Sequence, residues 1–224
     1  MYQNVDALTV LCDAYKKQLA TYFEDDKRIH VITNPEYPRL NPNLDKKKQI
    51  IYSGRLLYSH KRVDRLLTIW EKIYEKIPDW ELVIVGDGPE RNNLERLAKK
   101  WDLERIYFIG YTPHVDNYYK DASILCLTST FEGWPLCLTE AQANGVIPIS
   151  FNCCAGIEAI LGPNKVNGTL VPDGDINAFA KELIELINNP QLMEEIRKNV
   201  LKKVLTYSPE LVGEKWLNLF NNLL

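Results

Sequence analysis

Eight short, almost unbroken apolar runs recur along this chain, separated by segments of helical period, and that rhythm constrains its fold more than any other feature. The runs are ALTVL (7–11), RIHVI (28–32), QIIYS (49–53), ELVIV (81–85), RIYFI (105–109), SILCL (123–127), VIPIS (146–150) and GTLVP (168–172). A strand without polar alternation is buried on both faces, as in a parallel sheet covered by helices. Leu66, Trp70, Ile73 and Ile77 recur at helical spacing, as do Phe179, Leu183 and Leu186. Pro89, Pro135, Pro190 and Pro209 are each expected at a first helical position, where the missing N–H costs nothing. Three helices should close the chain, over residues 175–187, 190–206 and 209–223. The stretch NPEYPRLNPNLDKKK (34–48) reads as a linker.

Charge and cysteine content narrow the partners. With 27 basic and 30 acidic residues in 224, and no basic block interleaved with aromatics, a nucleic-acid or membrane-surface footprint is not indicated. The start lacks a basic, apolar leader, and no window approaches the roughly 20 apolar residues of a membrane span, so a cytoplasmic protein is the default. Cys12, Cys126, Cys137, Cys153 and Cys154 have no metal-ligand spacing and read as reduced thiols. For the vicinal Cys153–Cys154 pair, nothing nearby in sequence would lower a thiol pKa.

In a parallel sheet, ligands bind where loops follow the carboxyl ends of the strands. Here those loops hold Gly54-Arg55 with Lys61 beyond, Gly86-Asp87-Gly88, Gly110-Tyr111-Thr112, and the stretch STFEGWPLCLTEAQANG (129–145). Glycine allows close backbone approach, Arg55 and Lys61 bring positive charge, and a helix starting near Pro135 offers the amides of Leu136 and Cys137 at the positive end of its dipole. These suit a diphosphate. Glu132 and Glu140 would repel one, but a carboxylate can hold two neighbouring hydroxyls. Glu140 lies five residues past Pro135, about 7.5 Å along a helix axis, so a diphosphate at the helix start would have a diol-bearing group on each side. A nucleotide-sugar has that form.

Taken singly, each piece has a plainer reading. Glu132 and Glu140 could be solvated surface carboxylates, and GDGPER lacks the third glycine of a dinucleotide fingerprint. Asp173-Gly174-Asp175 resembles a metal-binding DxD, but Asp175 stands where a helix N-cap is expected. His30, His60 and His114 lie in separate segments without ligand spacing.

In order and spacing, SGRLLYSHKR (53–62), WELVIVGDGPE (80–90), IYFIGYT (106–112), TSTFEGWPLCLTEAQANGVIPIS (128–150) and NGTLVPDGD (167–175) resemble the C-terminal, donor-binding domain of the retaining GT-B glycosyltransferases of family 4, the group 1 glycosyl transferases. The resemblance implies an α/β fold with a Rossmann-like sheet, the C-terminal half of a GT-B fold. It implies transfer of a hexose or N-acetylhexosamine from a nucleotide-sugar, UDP-sugar favoured, to a polysaccharide or glycolipid.

Carried over, the catalytic residues are Arg55, Lys61 and Glu132. Arg55 and Lys61 neutralise the diphosphate in place of a metal ion, and Glu132 holds the transferred sugar. Gly54, Gly86, Gly110, Tyr111, Phe131, Gly133, Trp134, Pro135, Leu136 and Glu140 bind the donor, with Glu140 on the ribose and the loop at Gly110 and Tyr111 framing the base. No metal and no cofactor are implied, the nucleotide-sugar being a substrate. Arg62 departs from the glycine often found after the lysine.

Residues 1–35 resemble a remnant of the acceptor domain, 36–207 the nucleotide-sugar-binding domain, and 208–224 the helix that crosses back. On this reading the chain is a fragment, inactive alone, whose acceptor binds through the missing domain; there is room for peripheral membrane association of the full-length enzyme. A nucleotide-sugar epimerase of the GT-B fold and a non-catalytic nucleotide-binding module stay open as alternatives.

Overall fold

Six of the eight runs form one parallel sheet: β3 (Gln49–Ser53), β4 (Glu81–Val85), β5 (Ile106–Gly110), β6 (Ile124–Leu127), β7 (Ile147–Phe151) and β8 (Thr169–Val171), in the order β5-β4-β3-β6-β7-β8. The structure is a computed structural model, and it describes residues 5–23 and 26–223. From β3 the chain builds outward to β4 and β5, then returns to lay β6 on the other side of β3. The neighbouring carboxyl ends of β3 and β6 are therefore the topological switch point, where crossover connections diverge and leave a crevice.

Side chains alternate across this sheet, which is why its strands are apolar throughout. Ile50, Tyr52, Leu82, Ile84, Ile124 and Cys126 point into one core; Ile51, Val83, Val85, Leu125 and Leu127 point into the other. The first core is covered by α2 (Val63–Ile73), α3 (Arg91–Lys100) and α7 (Ile176–Ile187), through residues such as Leu66, Trp70, Leu94 and Phe179. The second is covered by α4 (Val115–Asp121), α5 (Leu136–Ala143) and α6 (Ala155–Leu161), through Tyr119, Leu138 and Ile157. Next, α8 (Pro190–Lys203) packs against α5 and α7, and a 3-10 turn, Val204–Tyr207, follows it.

The first two runs form a separate two-stranded parallel sheet, β1 (Leu8–Val10) with β2 (Ile29–Val31), joined through α1 (Asp13–Ala20). The final helix α9 (Pro209–Leu223) packs Val212 and Leu219 in a small cluster with Ile32, just beyond β2.

Several local expectations need correction. Pro190 and Pro209 do open helices, but Pro89 lies in the turn before α3 and Pro135 is the N-cap of α5. Ile77 lies beyond α2, after a 3-10 turn over Tyr74–Lys76, yet stays buried. Residues 34–48 form no regular element but are not a loose linker. Glu36 N–H donates to the Tyr207 carbonyl (2.8 Å), Lys47 N–H to Asp121 (2.8 Å), and Arg39 pairs with Asp116 (2.6 Å). Asp175 caps α7 by accepting from Ala178 N–H (2.8 Å), and Asp173 pairs with Arg65 (3.3 Å). Among the described residues no helix is long and apolar enough to cross a membrane.

Candidate functional site

At the switch point lies a cleft of about 670 Å³, and most of the residues singled out from sequence line it: Gly54, Arg55, Lys61, Gly86, Tyr111, Glu132, Trp134, Pro135, Leu136 and Glu140. Its volume is in the range of small-molecule sites.

One wall is made where three strand ends bond to one another. Gly54 N–H donates to Val85 O (3.0 Å), Leu56 N–H to Asp87 O (2.9 Å), and Gly86 N–H to Gly110 O (2.9 Å). Gly86 has φ +130°, and a methyl group on it would stand 1.9 Å from the Gly54 carbonyl oxygen, so this junction admits no side chain. The buried Tyr52 hydroxyl donates to the Arg55 carbonyl (3.1 Å) and fixes the turn. The exposed Arg55 guanidinium has no hydrogen bond or ion pair among the described residues, which leaves it free to meet an anion.

Lys61 arrives on the loop before α2, and that loop is held by the segment after β6. Thr130 N–H donates to His60 O (2.8 Å), and the buried Thr128 hydroxyl donates to Arg62 O (3.0 Å). Lys61 Nζ bonds Glu132 Oε1 at 2.6 Å, and the same oxygen accepts from the buried Ser129 hydroxyl at 2.7 Å. Lys61 and Glu132 thus neutralise each other, and Glu132 Oε2 has no hydrogen-bond partner among the described residues. Arg62 adds no charge to the cleft: it forks onto Asp64 and lies 4.7 Å over the Tyr58 ring.

The opposite wall is the start of α5. As N-cap, Pro135 gives its carbonyl to Leu138 N–H (3.0 Å). The amides of Leu136 and Cys137 stand in the first turn, where a helix has no carbonyl of its own to offer them, and both residues line the cleft. One turn deeper, Glu140 Oε2 accepts from the Tyr119 hydroxyl (2.9 Å), and Oε1 has no protein partner among the described residues. Burial pushes the Glu140 carboxyl above the ordinary value and Tyr119 pulls it back, while Asp116 raises it and Arg39 lowers it.

Three sequence-predicted residues are not brought into the cleft lining. Gly110 lies behind it, with Arg91 so close that a Cβ would touch the guanidinium. Phe131 is 67% exposed and packs edge-on against His60 (5.6 Å between ring centroids). Gly133 turns its carbonyl to the Tyr15 hydroxyl (3.1 Å). Sequence reasoning passed over Tyr119 and Ser129, which hold the two glutamates. Position alone gives a signal for Ser129, a hydroxyl three residues before Glu132; for Tyr119 there is none.

The cysteines bring a correction. Cys154 is the N-cap of α6, directly after Cys153; its thiol pKa is lowered to about 6, chiefly by Cys153 and further by Tyr15 and the amides of Gly156 and Ile157, while the Cys153 thiol is raised. Both remain free thiols.

Comparison with known proteins gives the family and the fold. Residues 34–203, more than half of the chain, match the family described as glycosyl transferases group 1. An uncharacterized glycosyltransferase of Haemophilus influenzae is 36% identical over 213 residues, which cover 94% of this chain and 60% of that protein. A crystal structure of Staphylococcus aureus TarM, a mutant in complex with fondaparinux, alpha-GlcNAc-glycerol and UDP, superposes with a TM-score of 0.87 at 27% identity, over 97% of this chain and 44% of that one. The C-terminal domain of a glycosyl transferase group 1 family protein from Francisella tularensis superposes with a TM-score of 0.67 at 26% identity, over 77% of this chain and 96% of that domain. The chain thus spans about half of the full-length proteins it matches, on the C-terminal-like domain of a GT-B enzyme.

Proposed function

This chain belongs to the group 1 glycosyl transferases, and from that premise we propose that it is the donor-binding part of a retaining enzyme that moves a hexose or N-acetylhexosamine from a UDP-sugar to a polysaccharide or glycolipid. One observation carries the reading: at the switch point an unpaired guanidinium and the open amides of a helix start lie between two carboxylates, each with one oxygen held by the protein and the other open. That order of charge suits a diphosphate flanked by two hydroxyl-bearing groups. UDP in the TarM complex supports the choice of nucleotide.

In this scheme the diphosphate lies between Arg55 and the amides of Leu136 and Cys137. Charge on the departing nucleoside diphosphate meets preorganised donors that need no reorganisation, and this lowers the barrier as the sugar gains oxocarbenium character. Lys61 moves between Glu132 and the diphosphate, so the metal ion that DxD enzymes use has no assigned role. Glu132 holds the sugar's hydroxyls through Oε2, and Glu140 the ribose diol through Oε1. Tyr111, 79% exposed at the cleft edge, offers a ring to the base.

Residues 1–35 and 208–224 would belong with an acceptor-binding domain. The cluster of Ile32 with Val212 and Leu219 supports grouping them. The acceptor would then bind outside this chain, in a cytoplasmic enzyme, and the chain alone would bind donor without turnover.

Titration calorimetry with UDP, GDP and their sugars tests the proposal. UDP and UDP-sugars should bind with 1:1 stoichiometry, and GDP more weakly; heat from none of them would refute the donor site.

A further inference from the structure

Tyr119 is fully buried, and its phenol ends the second core at the edge of the cleft without lining it. A phenol in an apolar core needs a partner for its hydroxyl. Here the partner is Glu140 Oε2, at 2.9 Å. The backbone of Tyr119 is fixed as well, because Lys46 Nζ donates to the carbonyls of Tyr119 (2.9 Å) and Lys120 (3.0 Å) at the end of α4.

We propose that Tyr119 is a positioning residue whose hydroxyl sets both the orientation and the ionisation of Glu140. A carboxylate on a side chain with three rotatable bonds is a poor fixed acceptor, and a rigid donor on one oxygen locks the plane in which the other is presented. The inference rests on the reading of Glu140 as the nucleotide's hydroxyl holder, and adds what makes it competent.

The charges around Glu140 show why a donor is required there. From the extended segment before β3 come Glu36, a like charge, and Arg39, an opposite one already paired with Asp116 at 2.6 Å. From α4 come Asp116, a second like charge, and Tyr119; from α5 itself comes the Cys137 thiol, kept protonated by burial. Burial and Asp116 thus favour a proton on Glu140, whereas Tyr119, the larger of the opposing contacts, and Arg39 favour the charged form. A protonated Glu140 would donate where a diol must also donate.

The test compares wild type with Tyr119→Phe, which removes one oxygen and keeps the ring in the core. The first readout is the titration of the Glu140 carboxyl carbon by NMR, which needs no nucleotide. In Tyr119→Phe its midpoint should rise by about one pH unit, the size expected for one lost hydrogen bond to a charged group. The second readout is UDP affinity against pH. The acid limb should move upward with the titration in Tyr119→Phe and vanish in Glu140→Gln.

An unmoved Glu140 midpoint would overturn the proposal, as would a moved midpoint with a UDP profile identical to wild type. Failure of the wild-type chain to bind UDP would refute the donor site instead, while the titration would still report Tyr119's hold on Glu140. If Tyr119→Phe does not fold, 3,5-difluorotyrosine at this position makes a stronger donor, and the midpoint should fall; a rise or no change would again overturn the proposal.

Discussion

Replacing Gly86 with alanine should break the cleft at the junction of β3, β4 and β5. The added methyl would stand 1.9 Å from the Gly54 carbonyl oxygen, where Cβ atoms essentially never come within 3.0 Å, so backbone must move by roughly 1 Å or more. Gly86 also has φ +130°, a conformation that L side chains rarely adopt. Backbone strain of about 1–3 kcal/mol and overpacking of similar size give a destabilisation of about 2–6 kcal/mol. Moving Gly54 carries Arg55 with it, and a 1 Å misplacement is enough to cost on the order of a hundredfold at a catalytic site. Urea denaturation followed by circular dichroism measures the first effect. Calorimetry with UDP, under conditions where the variant is folded, measures the second as at least a tenfold loss of affinity. The control is Gly133→Ala, at a position where a methyl meets nothing within 4 Å; it should change stability by less than about 0.5 kcal/mol. A Gly86→Ala protein as stable as this control, with wild-type UDP affinity, would refute the claim that the strand-end junction positions Arg55.

Three other perturbations separate charge, burial and thiol chemistry. Arg55→Ala removes an exposed, unpaired cation, so calorimetry should show UDP binding about tenfold weaker while the urea midpoint stays put; an unchanged affinity would remove Arg55 from the site. Burial holds the Glu140 and Glu36 carboxyls above their ordinary 4.5 when folded. Their contribution to stability is therefore complete below that value and is lost as pH rises through the folded pKa values. Glu140→Gln should accordingly melt above wild type at about pH 7.5 and not at about pH 4, and equal melting at both would contradict the burial argument. With its pKa held near 6 by the Cys153 thiol, Cys154 should be alkylated by iodoacetamide near neutral pH before the other cysteines, as peptide mass spectrometry would show; labelling of Cys153 first would contradict it.

The six-stranded sheet is legible in the chain because each strand is apolar on both faces, and ELVIV and QIIYS even fix their own boundaries. The helix starts are less so. Pro135 suits both an N-cap and a first helical position, and its own extended backbone (φ −72°, ψ 103°) makes it the N-cap. Arg55, Lys61, Glu132 and Glu140 can be found from sequence because charge is conspicuous beside apolar strands.

What holds them is not legible, since it depends on contacts across the fold. Tyr119 lies 21 residues from Glu140, Lys61 lies 71 from Glu132, and Tyr15 lies 118 from Gly133. The lowered thiol of Cys154 escaped notice for the same reason. Its causes are Cys153 together with Tyr15 and the amides of Gly156 and Ile157, and only the folded α6 start brings these to the thiol.

The central claim is that a nucleoside diphosphate sits between the β3 turn and the start of α5. Two-dimensional amide NMR of the isotope-labelled chain, titrated with UDP, tests it most directly. The account predicts that Gly54, Arg55, Tyr111, Leu136 and Cys137 move first and most, with the helix-start amides shifting as they gain an acceptor. Perturbation confined to another surface, such as the apolar cavity between Leu57, Val63 and Leu97, or none at all, would contradict it.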